Sequence, residues 1–387
     1  MCRRIVRYCL KFHGSRIKPI YYKGDVSMPT RRVYAGGVAI GGGAPVTVQT
    51  MTNTDTRDVE ATLAQIRAMA AAGADIVRVS VYDNACAEAV RALVDGSPVP
   101  LVADIHFDHR LAIRSVENGI AKVRINPGNI GGEANVRRVA DCLKAHHVPV
   151  RIGVNSGSVE KDILKKYGGV TPQGMVESGL NHARMLEQAG FEDIVMSFKA
   201  TDVHKMVEAC RLAAKLTCYP QHIGVTESGT ADVGIVKSAV GIGALLLDGI
   251  GDTIRVSLSG DPVQEVPAGL AILRACGLRR DGLEIISCPT CGRTGIDVEG
   301  IARRVRSECA DIHVPLKVAV MGCVVNGPGE AREADLGIAG GGDGRGVLIV
   351  RGQDPRPVSG DLAALLIAEI RRMVKEGQEA QAGRIGN

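Results

Sequence analysis

Tryptophan is absent from this 387-residue chain, and aromatic residues make up only 3% of it. That scarcity argues against the stacking platforms that hold single-stranded nucleic acid. No apolar run approaches the roughly 20 residues needed to cross a bilayer; the longest, VGIGALLLDGIG, is interrupted by Asp248. There is no dense block of lysine and arginine either, and the net charge is a mild +5. Such a balance suits a small anionic substrate better than a polyanion, so neither nucleic acid nor a membrane is expected as partner. The N-terminal MCRRIVRYCLKFHGSRIK is basic but lacks an apolar stretch and a small-residue cleavage site, so no export signal is expected. Residues 1–27 read as a disordered extension, and the chain reads as cytoplasmic.

What is present is a soluble globular composition, 45% hydrophobic and 23% charged, with 48 glycines. The length suits one large domain followed by a smaller one. From about residue 45 to 277, short apolar runs alternate with longer amphipathic ones. The strand candidates are VTVQTM, DIVRVSV, LVADIHF, AKVRINP, VRIGVNSG, DIVMSFKA, HIGVTE and TIRVSLSG. Segments such as DVEATLAQIRAMAAAG and VHKMVEACRLAAKL between them carry apolar residues at helical spacing, and several end at glycine. Eight βα units in about 230 residues predict an α/β fold of the (β/α)8, or TIM, barrel type over 28–279 rather than a doubly wound sheet.

Alternate residues of a strand share a face, and polar pairs at that spacing crowd the strand C-termini. They include Asp104 and His106, Arg124 and Asn126, Arg151 and Asn155 about Gly153, and Arg255 and Ser257. Arg78 and Ser80 form a further pair, while Lys199 ends the sixth strand and Glu227 the seventh. Barrel active sites lie at that end. Any one such residue is ordinary, but several cations on one rim would repel without an anion. Arginine forks match phosphate oxygens, so the rim is expected to bind a phosphate or diphosphate. Glu227, a carboxylate among cations, reads either as a partner that orients an arginine or as a proton donor and acceptor.

Beyond residue 280, LEIISCP, LKVAVMGC, ADLGIA and GVLIVRG read as strands, and DVEGIARRVRSECA and DLAALLIAEIRRMVKEG as helices. This predicts a compact α+β domain over 280–387. Eleven cysteines are an odd number, and most sit singly in apolar patterns. The close pair Cys288 and Cys291 in CPTC reads as a metal or catalytic site rather than a disulfide. Cys323 in MGCVVNGPGE is the last thiol, and a tight Asn-Gly-Pro-Gly loop can return Glu330 towards it. Three thiolates with a labile oxygen ligand suit an iron–sulfur cluster. A zinc site that recruits Cys309 and His313 is also compatible with the spacing. So are a non-redox phosphate-handling barrel transferase with a structural zinc appendix and a redox sensor without catalysis.

In order, ADIHF, RINPGNIG, RIGVNSGS, SFKATD, GVTESG, IGDTIRVSLS, CPTCGRT and MGCVVNGPGEAREADLG resemble the bacterial 4-hydroxy-3-methylbut-2-enyl diphosphate synthases. The likeness runs from VYAGGVAIGGG to the C-terminal helix, with Thr50 where the family commonly has serine. It implies a two-domain enzyme of the methylerythritol phosphate route to isoprenoids. Such an enzyme opens 2-C-methylerythritol 2,4-cyclodiphosphate with two electrons from flavodoxin or ferredoxin, with loss of water. The resemblance further implies a [4Fe-4S] cluster on Cys288, Cys291, Cys323 and Glu330, with Cys309 not a ligand. It places diphosphate contacts on Arg78, Arg124, Arg151, Asn155, Lys199, Arg255 and Ser257, and acid–base work on Glu227. It implies a head-to-tail homodimer in which one chain's cluster domain caps the other's barrel.

Overall fold

The computed structural model describes residues 29–385 except 127 and 326. The extension expected over 1–27 lies outside the described residues. The chain divides into two compact units between Arg279 and Arg280.

The first unit is a parallel barrel. Its strands are β3 (Thr47–Met51), β4 (Ile76–Ser80), β5 (Leu101–Asp104), β6 (Lys122–Ile125), β7 (Val150–Asn155), β8 (Ile194–Lys199), β9 (His222–Ile223) and β10 (Thr253–Ile254). They hydrogen-bond in the order β8-β7-β6-β5-β4-β3-β10-β9, and a parallel bridge between Met196 and Gln221 brings β8 to β9. Most strand residues are buried, which is why they read as near-continuous apolar runs. Their outward side chains meet the surrounding helices.

Those helices start where the sequence supplies caps. Asp58, Asp83, Asp108 and Asp202 each accept a hydrogen bond from a backbone N–H two or three residues on. They open helices α1 (Val59–Ala71), α2 (Asn84–Gly96), α3 (His109–Glu117) and α7 (Val203–Leu216), with α4 (Gly132–His146), α5 (Lys161–Tyr167) and α6 (Pro172–Gln188) between the last two. Helices α8 (Ala231–Leu247) and α9 (Glu265–Ala275) complete the ring.

Three features depart from the sequence expectation. An antiparallel hairpin, β1 (Val33–Ala35) and β2 (Val38–Ile40), precedes the barrel. Its Val33, Ala35 and Ile40 pack on Ile76, Val102 and Val195, near the strand starts, and so plug the N-terminal end. The short helix α5 adds an element to which the sequence reading assigns nothing, and it stops at Gly168 with φ +68°. Strands β9 and β10 are shorter than HIGVTE and TIRVSLSG suggest. A Cβ at Gly224 would stand 2.3 Å from the Arg255 carbonyl oxygen, so the two segments press together there and leave the regular ladder.

The second unit is a five-stranded sheet in the order β11 (Leu283–Ser287), β12 (Leu316–Met321), β13 (Leu336–Gly342), β14 (Arg345–Val350) and β15 (Arg356–Ser359). The first three strands are parallel and the last two antiparallel. Strand β15 escapes a hydrophobicity reading because it is an exposed edge that contains Pro357. Helix α10 (Val298–Glu308) and helix α12 (Leu362–Ile385) cover the sheet through Val305, Leu366 and Ile370. Between β12 and β13 lies α11 (Gly327–Ala331).

Phe198 on β8 is fully buried, and Gly179 of α6 sits so close that a Cβ there would come within 2.6 Å of its ring. Phe198→Ala is therefore expected to cost about 3–5 kcal/mol, read as a lowered urea midpoint for the transition that unfolds the barrel.

Candidate active site

The strand register puts Asp104, Arg124 and Arg151 side by side on β5, β6 and β7, and Asn155 beside Lys199 on β7 and β8. All face inward at the C-terminal end. Arg78, Arg124, Arg151, Asn155, Lys199, Arg255 and Ser257 together line one cavity of ≈ 190 Å³, with Asp104, His106, Ser197 and Thr226 completing the wall.

The arginines are held in place by different means. Arg124 donates from Nη1 to Asp104 Oδ1 at 3.1 Å and stands 3.1 Å from His106 Nε2. It crosses Gly153, where a Cβ would sit 2.5 Å from Arg124 Nε, so only glycine leaves the guanidinium room. Arg78 lies 3.8 Å from Asp104 and donates to Met51 Sδ at 2.8 Å. Arg255 pairs with Glu265 at 3.2 and 3.3 Å. Glu265 in turn accepts from the Thr50 hydroxyl at 2.8 Å and the Leu258 N–H at 3.1 Å. The Thr50 hydroxyl thus helps to steer the carboxylate that braces Arg255.

Arg151 has no such brace. It is 2% exposed, and its Nε and Nη1 have no hydrogen-bond partner among the described residues. Two guanidinium charges at roughly 6 Å repel by about 3 kcal/mol even at an effective dielectric constant of 20. Burial, with neighbouring arginines, pushes Arg78 down to about 10 and lowers Lys199 and Arg151 well below their ordinary values. Burial would raise Asp104, but Arg78, His106, Arg124 and Arg151 outweigh it and hold the carboxyl far below its usual range. The well is a cationic site with one ionised carboxylate, the electrostatics of an anion receptor.

Glu227 is not part of that wall. It is exposed on the loop beyond β9, next to wall residue Thr226, and accepts a hydrogen bond from Thr201 Oγ1 at 2.8 Å. Its φ of +52° is uncommon for a non-glycine residue and is the kind of backbone strain that recurs at functional loops.

The candidate ligand thiols Cys288, Cys291 and Cys323 all lie in the second unit. Cys288 follows β11 and Cys323 follows β12, at the same end of two paired parallel strands. The Gly322 N–H donates to Cys288 Sγ at 3.1 Å. Cys291 is exposed, and its thiol is lowered chiefly by the Arg293 backbone N–H, with Arg293's charge helping and the Cys323 thiol close enough to oppose. Backbone donors aimed at sulfur favour the thiolate, the form that ligates metal, so this donor set fits an iron–sulfur group. Glu330 lies exposed on α11, so Gly327–Ala331 forms a helical turn rather than a plain loop. Among the described residues no three histidine, cysteine or acidic side chains stand within metal-holding distance. Cys309 is 2% exposed at the end of α10, inside the hydrophobic core, and burial raises its thiol.

Several site residues escape the sequence reading. Glu265 braces Arg255 from the start of α9, and nothing in the sequence pairs the two residues. Lys122 and His222 point into the barrel below the well, and the two-residue alternation that singles out Arg124 would have reached Lys122 as well.

These features define a TIM-barrel anion-binding enzyme with an appended thiol-bearing α+β unit. The chain belongs to the GcpE family: residues 30–270 match the GcpE TIM-barrel domain and residues 284–375 the GcpE protein C-terminal domain. Three curated relatives are named 4-hydroxy-3-methylbut-2-en-1-yl diphosphate synthase (flavodoxin). The one from Caldanaerobacter subterraneus subsp. tengcongensis is 55% identical over 90% of this chain and 98% of that protein. The Geobacter sulfurreducens protein is 54% identical over 90% and 98%. The Lawsonia intracellularis protein is 51% identical over 92% and 100%.

Arg151→Met is expected to raise the stability of the ligand-free protein by about 1–4 kcal/mol, because it removes a buried charge without a partner. The same change should abolish the upward shift in Tm that an added cyclic diphosphate gives the wild type, so differential scanning calorimetry with and without ligand checks both halves.

Proposed function

We propose that this chain is the oxidoreductase that converts 2-C-methyl-D-erythritol 2,4-cyclodiphosphate to 4-hydroxy-3-methylbut-2-enyl diphosphate, in isoprenoid precursor biosynthesis. The conversion is a two-electron reductive ring opening with loss of water. The observation that carries this reading is the cationic well of Arg78, Arg124, Arg151, Lys199 and Arg255 at the open end of the barrel. Family membership gives the well its substrate.

The arginine forks and Lys199 bind the two phosphoryl groups and fix the ring, while Ser257 and Asn155 add hydrogen bonds. As the ring C–O bond breaks, negative charge grows on the departing diphosphate oxygen. The same cations are already in place to stabilise it, at no reorganisation cost. Glu227, at the mouth and held by Thr201, gives or takes the proton that accompanies loss of water. Cys288, Cys291 and Cys323 with Glu330 would hold a [4Fe-4S] cluster, and such a group would supply single electrons taken from flavodoxin; ferredoxin is the other donor of suitable potential. Two chains act as a head-to-tail homodimer, each cluster unit serving the partner's barrel.

Anaerobic purification is expected to yield about four irons and four sulfides per chain with broad visible absorption, and turnover of the cyclodiphosphate with reduced flavodoxin. One zinc and no sulfide after anaerobic reconstitution would instead favour a transferase with a structural zinc. Glu330→Ala should lose or destabilise the cluster. Glu227→Gln should keep it and bind substrate, yet slow turnover about 10²–10⁴-fold; undiminished turnover would remove Glu227 from the mechanism.

The dimer has its own test. Arg151→Met and Cys323→Ala chains are each inactive alone. Mixed and re-associated, they should recover activity, because one of the two sites then combines an intact barrel with an intact cluster unit. No recovery despite proven heterodimers would refute the exchange between chains.

A further inference from the structure

Lys122 lies two residues before Arg124 on the same inward face of β6. Its side chain is fully buried, and Nζ has no hydrogen-bond partner among the described residues. The charged groups that face it are of its own sign: Arg151 on β7 and Arg78 on β4, with His222 on β9 near enough to feel it. The interior carboxylates are committed elsewhere, Asp104 to Arg124 and Arg78, Glu265 to Arg255. The surrounding floor is polar. Thr253 sits in register with Thr47 on one side and His222 on the other, and Gln49 follows on the inward face of β3. The hydroxyls of both threonines, both amide atoms of Gln49 and both ring nitrogens of His222 are buried without partners among the described residues.

A barrel floor of this kind is costly, since each unpaired buried polar group forfeits about 1–3 kcal/mol, and an aliphatic layer would fill it better. Burial first, then Arg151 and Arg78, lowers the proton affinity of Lys122, and burial with the same cations lowers that of His222. A dianion in the well above offsets much of that positive potential and so raises the proton affinity of Lys122.

We propose that Lys122 is the proton-loading residue of the barrel: neutral in the ligand-free well, it takes one proton from solvent when a doubly charged cyclic diphosphate enters above it, and keeps it while the anion stays. Only an N–H bond forms; no electron moves, and the proton returns to solvent with product release. Lys122 is a positioning residue, acting through the potential beneath Arg151 and Arg124 rather than by contact with substrate. The inference rests on the diphosphate reading of the well. It carries a definite sign. A proton taken up on binding acts as a co-ligand, so affinity for the anion falls as pH rises through the window between the free and bound proton affinities of Lys122, by about one decade per pH unit for each proton.

The test is isothermal titration calorimetry with the cyclodiphosphate itself, on the full cluster-loaded protein without reductant, so that binding is seen and turnover is not. The ligand's two phosphoryl groups have no proton to exchange near neutrality. Two non-phosphate buffers of widely different ionisation enthalpy then report the protons taken up by the protein. Wild type should show net proton uptake across the pH window between the free and bound proton affinities of Lys122. Lys122→Met should take up about one proton fewer and bind more weakly. Lys122→Arg, permanently charged, should also lose that proton yet retain affinity with a flatter pH dependence. Wild-type binding without uptake, or variants that take up as many protons as wild type, would overturn the inference. Carbon-13-labelled lysine gives the answer in the wild type itself. The buried lysine signal that is missing from Lys122→Met should move from the neutral to the charged position when the wild type binds the ligand, and its failure to move would overturn the inference. Failure of the cyclodiphosphate to bind at all would refute the diphosphate reading instead.

Discussion

The repulsion between buried guanidinium groups is the constraint on which the rest of the molecule depends. Arg124 and Arg151 are register neighbours on adjacent strands, Arg78 and Arg255 stand across from them, and Asp104 is the only carboxylate on the wall. In a looser framework these side chains would swing out to water. They cannot do so here, because the ring is held by a continuous ladder of main-chain hydrogen bonds and packed on the outside by helices. The barrel therefore stores unfavourable electrostatic energy in its ligand-free state, and an anion releases it. Preorganisation of this sort is what a reaction that ejects a diphosphate oxygen requires, since the positive potential exists before the negative charge develops.

The architecture around the well follows from the same requirement. The β1–β2 hairpin plugs the N-terminal end with Val33, Ala35 and Ile40, so the C-terminal end is the one by which the interior polar groups meet solvent. Short βα loops opened by aspartate caps keep that end uncluttered. Glycine at 153 gives Arg124 passage across a neighbouring strand, and Glu265 with Thr50 steers Arg255 from outside the wall. The second unit places its chemistry by a comparable rule. Cys288 and Cys323 end two paired parallel strands, so their backbones are fixed by the sheet while their sulfurs face the strand ends, and Cys291 stands free of the core beside the Arg293 N–H.

Much of this was legible in the chain itself. The eight βα repeats, the thiol-bearing α+β unit and the polar pairs at strand ends follow from periodicities of 2 and 3.6 residues, because a side chain's direction along a strand or helix is a local property. The hairpin plug was not legible: VYAGGVAI is too short and too glycine-rich to declare a strand pair before the barrel floor is there to receive it. Nor was β15, whose proline and charges belong to an edge. Lys122 lay within reach of the strand alternation, yet read as an ordinary strand start because nothing local tells a barrel interior from a helix-covered face.

The sequence alone determined the order of elements, the family motifs and which residue types reach the strand ends, since each is written in a window of a few residues. The tertiary structure decided what those residues do to one another. It set Arg124 against Arg151, left Nε and Nη1 of Arg151 and Nζ of Lys122 without hydrogen-bond partners among the described residues, gave Arg255 its brace 10 positions away in Glu265, put Glu227 outside the well, and sank Cys309 into the core. Charge interactions of this kind depend on distance through space and on burial, and neither is a function of separation along the chain.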